Sequence, residues 1–358
     1  MADARELRDR LLRRIDATGP LTLEEYLDTA LYDPELGFYA CGGAAGRRGD
    51  FLTAPEVGPL FGAVIADALD TWWTQLGEPE PFEVVEAGAG RGALARGVLD
   101  ARPRCATALR YVLVERSAVL RARQAELLDL TDDDGPGVAV RDDLPPALPT
   151  GVVLANELLD NLPWRLLELV DGRWWEVRVG ARTEGLVEQA VPADPEHVEL
   201  VHRLVPDPPP GARVPLQLRA RAWVDRVRGL LGRGRVVVFD YMSTTPELAS
   251  RPVNEWLRTY RGHDRGVAPL REPGTQDITC EVAVDQLHAP DLDRSQADFL
   301  DAHGIRRLAE EGRRIWEARA HIGDLEAIRA RSRVAESRAL TDPSGMGAFR
   351  VLEWIHDR

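Results

Sequence analysis

The sequence predicts an α/β fold with a mostly parallel central sheet, and three observations lead to this prediction. Short apolar segments alternate with helical segments, which is typical of strands whose two faces are covered by helices. The first apolar segment, PFEVVEAG, ends in a glycine-rich turn. A further apolar segment, FRVLEWI, lies at the end of the sequence and is predicted to form the last strand. LLELVDGRWWEVRV adds a predicted hairpin around Asp171 and Gly172. Besides the hairpin, the predicted strands are PFEVVEAG, RYVLVE, VAV, GVVLANE, RGRVVVFDY and FRVLEWI.

Helical segments precede the first predicted strand. Residues 3–16 place leucines and an isoleucine on one helical face, and residues 59–76 form a second amphipathic pattern. Between them, Thr22 is expected to cap a short helix, with Glu25 at the capping-box position. We therefore predict an N-terminal helical extension over residues 1–80.

The rest of the chain, residues 81–358, is predicted to form one domain with inserted α+β elements. One insertion is expected at about 186–213, where proline and acidic residues are frequent, and another at about 242–337. Residues 242–275 have few periodic apolar positions, so we expect a long functional loop there.

Composition restricts the partners and the location. The net charge of −14, from 45 basic and 59 acidic side chains, disfavours nucleic acid because acidic surfaces repel phosphate. Cys41, Cys105 and Cys280 suit a reducing cytosol and form neither a disulfide framework nor a metal motif. No apolar segment is long enough to span a membrane, and the N-terminus, which mixes acids with bases, is not predicted to be a targeting signal. We expect a cytoplasmic protein without metal or membrane partner, and a homodimer stays open.

The glycine loop is the first candidate site. Gly88, Ala89, Gly90 and Gly92 follow the first strand of the alternating region and open onto a helix. Glycines allow a sharp turn and a close approach of the backbone to a ligand, and the helix N-terminus presents free N–H groups. A plain strand-to-helix turn would use the same residues, so the loop needs further support.

Two acids supply that support. Glu86 lies in the strand just before the first glycine, and Glu115 ends the next strand, 23 residues beyond Gly92. A carboxylate at the position of Glu115 can accept hydrogen bonds from ribose hydroxyls. The GxGxG spacing and the acid before it favour S-adenosylmethionine (SAM) over a dinucleotide.

A second polar cluster follows the strand GVVLANE. Asn156, Glu157 and Asp160 lie at the carboxyl end of that strand, where an open α/β sheet binds ligands. They could hold an amine or guanidinium in line with a methyl donor, accept a proton, or offset positive charge. The alternative is structural: Asn156 could cap a helix that begins at Glu157.

Together these segments resemble the MidA-like family of SAM-dependent methyltransferases, which includes a mitochondrial complex I assembly factor reported to methylate protein arginine. The matching segments, in the family's order, are YDPELGFY, GDFLTAPEVGPLFG, VVEAGAGRGAL, VERSAVLRARQ, ANELLDNLP, VVVFDY, TYRGHDRG and PGTQDIT. The chain departs from the family pattern at Ala89, Leu158, Leu159, Asn161 and Met242. The resemblance implies a class I methyltransferase fold with a Rossmann-like sheet.

The resemblance also implies roles for further residues. Asp50 and Thr53 would help the N-terminal extension close over the cofactor. Phe51, His263 and Asp277 would contact the substrate. Asn156, Glu157 and Asp160 would be the catalytic cluster.

The resemblance implies a methyltransferase that modifies nitrogen in a protein side chain such as arginine. A carboxylate-rich pocket suits a guanidinium. A SAM-binding assembly factor or chaperone with little turnover stays open, and so does a small-molecule methyltransferase. An NAD-dependent oxidoreductase is disfavoured by the GxGxG spacing and by the lack of a clear hydride-transfer histidine or tyrosine.

Overall fold

The computed structural model describes residues 2–43, 53–128, 137–183, 185–262 and 264–357. In these ranges the α-helices are α1 (Ala2–Thr18), α2 (Leu23–Tyr32), α3 (Ala54–Val57), α4 (Pro59–Gln75), α5 (Ala93–Ala101), α6 (Ala118–Leu128), α7 (Pro195–Leu204), α8 (Leu218–Leu230), α9 (Thr245–Ser250), α10 (Val253–Trp256), α11 (Gln296–Ala302), α12 (Ile305–Arg319) and α13 (Leu325–Thr341). Short 3-10 helices cover Arg104–Thr107, Leu159–Asn161, Val284–Gln286 and Met346–Ala348.

The strands are β1 (Leu21–Thr22), β2 (Phe82–Ala87), β3 (Leu109–Val114), β4 (Val138–Arg141), β5 (Leu148–Asn156), β6 (Arg165–Val170), β7 (Arg173–Arg182), β8 (Gly185–Pro192), β9 (Arg213–Leu216), β10 (Leu231–Asp240), β11 (Met242–Ser243), β12 (Leu257–Arg261), β13 (Asp264–Arg265), β14 (Asp277–Cys280), β15 (Val282–Ala283), β16 (Leu292–Ser295) and β17 (Arg350–His356).

The principal sheet has seven strands in the order β16-β17-β10-β5-β2-β3-β4. Strands β10, β5, β2, β3 and β4 are mutually parallel, and β17 runs antiparallel between β10 and β16. This sheet confirms the predicted Rossmann-like architecture. Because the parallel strands end at one edge, the loops after β2, β3, β4 and β5 meet there.

Helices cover both faces of the principal sheet, as its apolar strands require. On one face, α4, α5, α11 and α13 share a core in which Phe239 packs edge to face against both Phe61 and Phe299. On the other face, α8 packs against the strands. Helices α4 and α5 touch directly, because a Cβ at Gly62 would lie only 2.5 Å from the Cα of Gly97.

A second, antiparallel sheet contains β8, β7, β6, β9 and the short β1. It includes the predicted hairpin, in which Asp171 (φ 49°) and Gly172 (φ 73°) both adopt the left-handed backbone of a tight two-residue turn. Helices α1 and α2 belong to the core beside this sheet, whereas α4 belongs to the core of the principal sheet. The division at residue 80 and the extents of the insertions stay predictions.

The helices predicted over residues 3–16 and 59–76 are confirmed by α1 and α4. Thr22 and Glu25 form the predicted capping box at the start of α2. The stretch 186–213 contains most of β8 and all of α7, so it is an ordered strand and helix. None of the helices in the described ranges is long and apolar enough to cross a membrane.

The prediction of a long loop over residues 242–275 is wrong. This stretch folds into β11, α9, α10 and the hairpin of β12 and β13. A capping box formed by Thr244 and Glu247 starts α9, and the buried side chains of Leu248 and Trp256 anchor α9 and α10. These elements are only two to six residues long, so they leave no periodic apolar pattern that a sequence window could detect.

Candidate active site

A cavity of about 310 Å³ lies at the carboxyl edge of the parallel strands, within the usual size range of small-molecule sites. Its wall includes the residues that follow β5, β2, β3 and β4, which are neighbours in that order in the sheet. The predicted glycine loop, Glu115 and the Asn156–Glu157 pair therefore line one continuous cavity.

Three glycines of the loop adopt left-handed backbone conformations, with φ of 66° at Gly88, 53° at Gly90 and 85° at Gly92. A Cβ at Gly88 would lie 2.8 Å from the side chain of Leu158, and one at Gly92 would lie 3.3 Å from that of Leu113. A Cβ at Gly90 would meet no atom within 4 Å. Since Gly90 lines the cavity, the space beside it is open to a ligand.

The loop is held from two sides. The backbone N–H of Gly90 donates to Glu115 Oε2 (3.0 Å), and Gln124 Nε2 donates to the carbonyl oxygen of Gly90 (2.9 Å). The other carboxylate oxygen of Glu115 accepts from the N–H of Ser117 (2.8 Å). Burial raises the pKa of Glu115, while these backbone donors lower it. The carboxylate of Glu115 is thus fixed at the cavity wall.

Glu86 is also at the wall, but its carboxyl group is buried. Tyr111 Oη donates a hydrogen bond to Glu86 Oε2 (2.7 Å). Burial raises the pKa of Glu86 to about 8, so the group is largely protonated at neutral pH. A protonated Glu86 can donate a hydrogen bond as well as accept one.

The sequence reasoning missed the part of the wall that follows β4. Asp142, Asp143 and Leu144 line the cavity there, and Arg226 of α8 forms an ion pair with Asp143 (2.8 Å). Asp142 is exposed, and its carboxylate could accept a hydrogen bond from the amino group of a bound base. The signal was present, because two acids directly follow the predicted strand VAV, but no motif marked them.

Asn156 and Glu157 form the wall after β5. Glu157 has a left-handed backbone (φ 51°), which is strained for a residue other than glycine, and its N–H donates to the carbonyl oxygen of Phe239 (2.8 Å). Glu157 Oε1 accepts from Asn156 Nδ2 (3.1 Å) and from the N–H of Ala54 (3.3 Å). Burial raises the pKa of Glu157 to about 7.

The capping alternative for Asn156 is wrong. No α-helix begins at Glu157; a 3-10 helix begins at Leu159 and has no side-chain cap. The N–H groups of Leu159 (3.0 Å) and Asp160 (3.3 Å) instead donate to Asp240 Oδ2, at the end of β10. Asp240 thereby fixes the turn that carries Asp160.

Four carboxyl groups lie close enough to repel one another: Glu157, Asp160, Asp240 and Asp277, here called the acidic cluster. Asp160 and Asp277 are almost fully buried, and burial raises the pKa of each to about 7. Burial and the charges of Asp160 and Glu157 raise the pKa of Asp240 well above its ordinary value. The cluster therefore gathers carboxyl groups that resist ionisation in a poorly solvated place, and a cation beside them would favour their ionised forms.

The partners of the cluster are hydroxyl and amide groups. Asp277 Oδ1 accepts from Tyr39 Oη (3.1 Å) and Asn161 Nδ2 (3.0 Å), and Asp160 Oδ2 is in hydrogen-bond contact with Tyr241 Oη. Among the described residues no arginine pairs with the cluster, and Asp160 Oδ1, Asp277 Oδ2 and Asn156 Oδ1 are buried without hydrogen-bond partners.

The structure does not bring all predicted residues equally close to the cavity. Thr53 lines it, as do Asn156 and Glu157, whereas Asp160 and Asp277 lie behind the wall formed by Tyr39 and Asn161. Ala89 lies in the wall between the glycines. The predictions for Asp50, Phe51 and His263 fall outside the described residues.

The tyrosines that line the cavity wall, Tyr32 and Tyr39, come from the predicted N-terminal extension. Tyr32 and Tyr39 stack with ring centroids 5.4 Å apart, and Tyr32 Oη donates to the carbonyl oxygen of Asn161 (3.1 Å). Sequence reasoning missed both, although they lie in the YDPELGFY segment. Residues before 80 thus contribute to the same cavity as the principal sheet.

Comparisons with known proteins agree on one family. A model of the S-adenosyl-L-methionine-dependent methyltransferase family matches residues 64–303. A COG1565 superfamily member from Burkholderia thailandensis, solved with S-adenosyl-homocysteine (SAH) bound, has a TM-score of 0.85 and 30% sequence identity to this chain. That alignment covers 99% of this chain and 92% of the other. A native structure of a superfamily protein from the same organism has a TM-score of 0.83 and 28% identity, with the same coverage.

Curated relatives have similar identity but align with a smaller share of the chain. The protein arginine methyltransferase NDUFAF7 homolog of Drosophila melanogaster mitochondria is 29% identical over 312 residues, which are 78% of this chain and 67% of that protein. The mitochondrial NDUFAF7 of Rattus norvegicus, also named a protein arginine methyltransferase, is 27% identical over 76% of this chain and 66% of its own length. The chain thus aligns with about two thirds of these relatives.

Proposed function

Because the chain belongs to the S-adenosyl-L-methionine-dependent methyltransferase family, we propose that it methylates a guanidinium nitrogen of arginine in a protein. The cofactor and the class of reaction follow from the family. The acceptor is our inference from the acidic cluster, and the names of the curated relatives support it.

The residues of the cavity fit the cofactor. The open space beside Gly90, which a Cβ would fill, suits a ligand that lies against the loop. Glu115 would hold the ribose, and Asp142 would face the base, because β2, β3 and β4 are consecutive in the sheet. When bound, SAM supplies a methyl group whose bond to sulfur breaks with the electron pair left on sulfur.

The observation that carries the proposal is the acidic cluster without a basic partner among the described residues. Buried carboxyl groups that repel each other must either take up protons or bind a cation beside them, because buried unpaired charges cost free energy. A guanidinium is always charged and presents several N–H donors, so it can satisfy more than one carboxylate. An apolar or anionic acceptor would leave the cluster uncompensated.

Glu157 is the group placed to handle the proton. A guanidinium nitrogen that gains a methyl group must also lose one of its protons, since it uses an electron pair for the new bond. Glu157 is at the wall, and its pKa of about 7 lets it be ionised before the reaction and accept a proton during it. Asn156 and Ala54 hold its Oε1, so Oε2 is the atom we assign to this role.

Asp160 and Asp277 lie behind the cavity wall, so they would influence the acceptor mainly through their charges. Their charges raise the affinity of the pocket for a cation, and their unpartnered oxygens could accept guanidinium N–H groups if the Tyr39 side chain moved aside. Asp160 remains a proposed catalytic residue, and Asp277, together with Phe51 and His263, remains a proposed substrate-binding residue.

The test is to incubate the purified protein with SAM that carries a deuterated methyl group and a cell lysate, and to locate the label by mass spectrometry. We expect labelled arginine. The chain contains no lysine, so any labelled lysine must come from the lysate and not from self-methylation. Labelled lysine without labelled arginine, or label confined to small metabolites, would overturn the proposal.

Two variants sharpen this test. Glu157→Gln should reduce the rate of labelling about 100-fold, as expected for loss of a general base, while calorimetry shows unchanged affinity for SAH. Glu199→Gln, at an exposed position on α7 outside the cavity, is the matched control and should label at the wild-type rate. Wild-type labelling by Glu157→Gln would reassign Glu157 to a structural role.

The cytoplasmic location and the homodimer stay proposals from the sequence. The curated relatives named above are mitochondrial, so fractionation of the native host is the appropriate measurement of location. Sedimentation of the purified chain would decide its oligomeric state.

A further inference from the structure

We propose that Arg91, inside the glycine loop, binds the carboxylate of the cofactor's amino-acid moiety. Arg91 lines the cavity between Gly90 and Gly92. Its Nε is buried and has no hydrogen-bond partner among the described residues. This assignment concerns the cofactor alone, so it does not depend on the proposed acceptor.

The other arginines of the cavity wall are already paired. Arg116 contacts Asp28 (3.1 Å), and Arg219 contacts the same carboxylate (3.1 Å). Arg226 is paired with Asp143 (2.8 Å). Arg91 forms no ion pair among the described residues, so within this wall its guanidinium is the one whose charge is not already balanced by a carboxylate.

The order of the strands places Arg91 at the correct end of the cofactor. From β5 through β2 and β3 to β4, the wall presents the Asn156–Glu157 pair, the glycine loop, Glu115 and Asp142. With the Asn156–Glu157 pair on the acceptor side, as proposed above, the reacting methyl group would face the end at β5, and the ribose and base would lie beside β3 and β4. The amino-acid moiety, which is attached to the same sulfur as the methyl group, would then lie beside the glycine loop.

The electrostatic setting favours a protein cation beside the cofactor's carboxylate. The wall around the loop contains Glu56, Glu115 and Glu157, and the acidic cluster lies just behind it. A carboxylate that enters such a site is repelled unless a positive group faces it. An arginine fork can meet a carboxylate with two parallel hydrogen bonds.

The experiment is a calorimetric comparison of two ligands, SAH and its decarboxylated analogue, which lacks only the carboxylate. For Arg91→Met we expect the affinity for SAH to fall about 30-fold, a typical loss for a hydrogen bond to a charged group. The affinity for the decarboxylated analogue should change less than about 3-fold, because the partner of Arg91 is missing from that ligand. Arg91→Lys, which keeps the charge but not the fork, should recover part of the loss.

Arg226→Met is the matched control, since it removes a paired arginine from the same wall. It should change the two affinities by the same factor. Equal losses for both ligands in Arg91→Met, or an unchanged affinity for SAH, would overturn the assignment. If Arg91→Met does not fold, as judged by its melting curve, the comparison is made with Arg91→Lys, and equal effects on both ligands again overturn it.

Discussion

At the scale of single residues, the site depends on backbone conformations that side chains rarely adopt. Glu157 is held at a φ of 51° by the hydrogen bond from its N–H to Phe239 and by the turn that Asp240 fixes. Such strain is maintained only where the surrounding structure enforces it, and it is frequent at active sites. The strained position directs the carboxyl group of Glu157 into the cavity wall beside Ala54.

Gly90→Val is expected to abolish cofactor binding. The new side chain would occupy the open space beside the loop, which is the space the cofactor needs. It would also be strained at a φ of 53°, by an amount on the order of 1 kcal/mol or more. We expect calorimetry with SAH to show at least a 100-fold loss of affinity for the folded variant.

Gly172→Val separates the effect of backbone strain from the effect of filling the cofactor's space. Gly172 has a similar left-handed backbone (φ 73°) and equally open space, but it lies in the hairpin turn of the second sheet, away from the cavity. This control should lose stability and keep its affinity for SAH. Retained affinity in Gly90→Val would remove the loop from the cofactor site.

Local signals explain which site residues could be predicted. The glycines, Glu115 and the Asn156–Glu157 pair follow directly from strand ends, which a sequence reveals. Asp240 and Tyr39 were missed as site residues because their contacts join distant positions, 160 with 240 and 39 with 277. No spacing rule connects such pairs, so only the folded chain brings them together.

At the scale of elements, the start of α4 depends on a residue far along the chain. The backbone N–H of Leu60, in the first turn of α4, donates to Glu336 Oε2 of α13 (2.9 Å), and Glu336 is buried. The first N–H groups of a helix have no partner within the helix. Gly58 permits this contact, since a Cβ there would lie 2.2 Å from the carboxyl carbon of Glu336.

Glu336→Ala is therefore expected to destabilise the protein by about 2 kcal/mol, because it leaves the buried N–H of Leu60 without an acceptor. Glu336→Gln, which keeps an amide oxygen as an acceptor, should lose less. Urea denaturation with unchanged slope is the measurement. Equal stability of Glu336→Ala and wild type would show that another group or water replaces the carboxylate.

Long helices and strands could in general be predicted from the sequence, whereas short ones could not. The helix α4 and the strands β2, β3, β4, β5, β10 and β17 have the apolar patterns expected of them, so the sequence predicted them. The edge strand β16 was not predicted, because its four residues have no such pattern. The elements of residues 242–275 are only two to six residues long, too short to show a repeated apolar pattern, and they are anchored by tertiary packing such as that of Trp256 against Trp164, with ring centroids 6.1 Å apart. Only tertiary contact could reveal them.

At the scale of the whole molecule, the family resemblance seen in the sequence is confirmed, because it rested on the order of eight segments and not on one motif. The fold brings four of those segments, which together span more than 200 residues of the sequence, to the acidic cluster and its tyrosines. A protein that buries several carboxyl groups without a cation should be sensitive to pH even when no substrate is present.

The pKa of Asp277 determines the direction in which the free energy of unfolding changes with pH. Burial raises its pKa to about 7, whereas in the unfolded chain the pKa is about 4. Between these values the folded protein binds a proton that the unfolded chain does not, so the free energy of unfolding falls as the pH rises. The contribution of Asp277 to stability is lost completely once the pH is well above its pKa in the folded protein. Asp277 alone should make the protein about 1 kcal/mol more stable at pH 6 than at pH 8.

The measurement is the free energy of unfolding at pH 6 and pH 8 for wild type and Asp277→Asn. Asparagine cannot titrate, so the variant should show a smaller difference between the two pH values, while every remaining histidine contributes as in wild type. The pKa of Asp160 should also fall when its neighbour loses its charge, which reduces the difference further. If both proteins showed the same difference, Asp277 would not titrate between pH 6 and pH 8 in the folded protein. Its charge would then not be disfavoured in the way that the argument for a cationic acceptor requires.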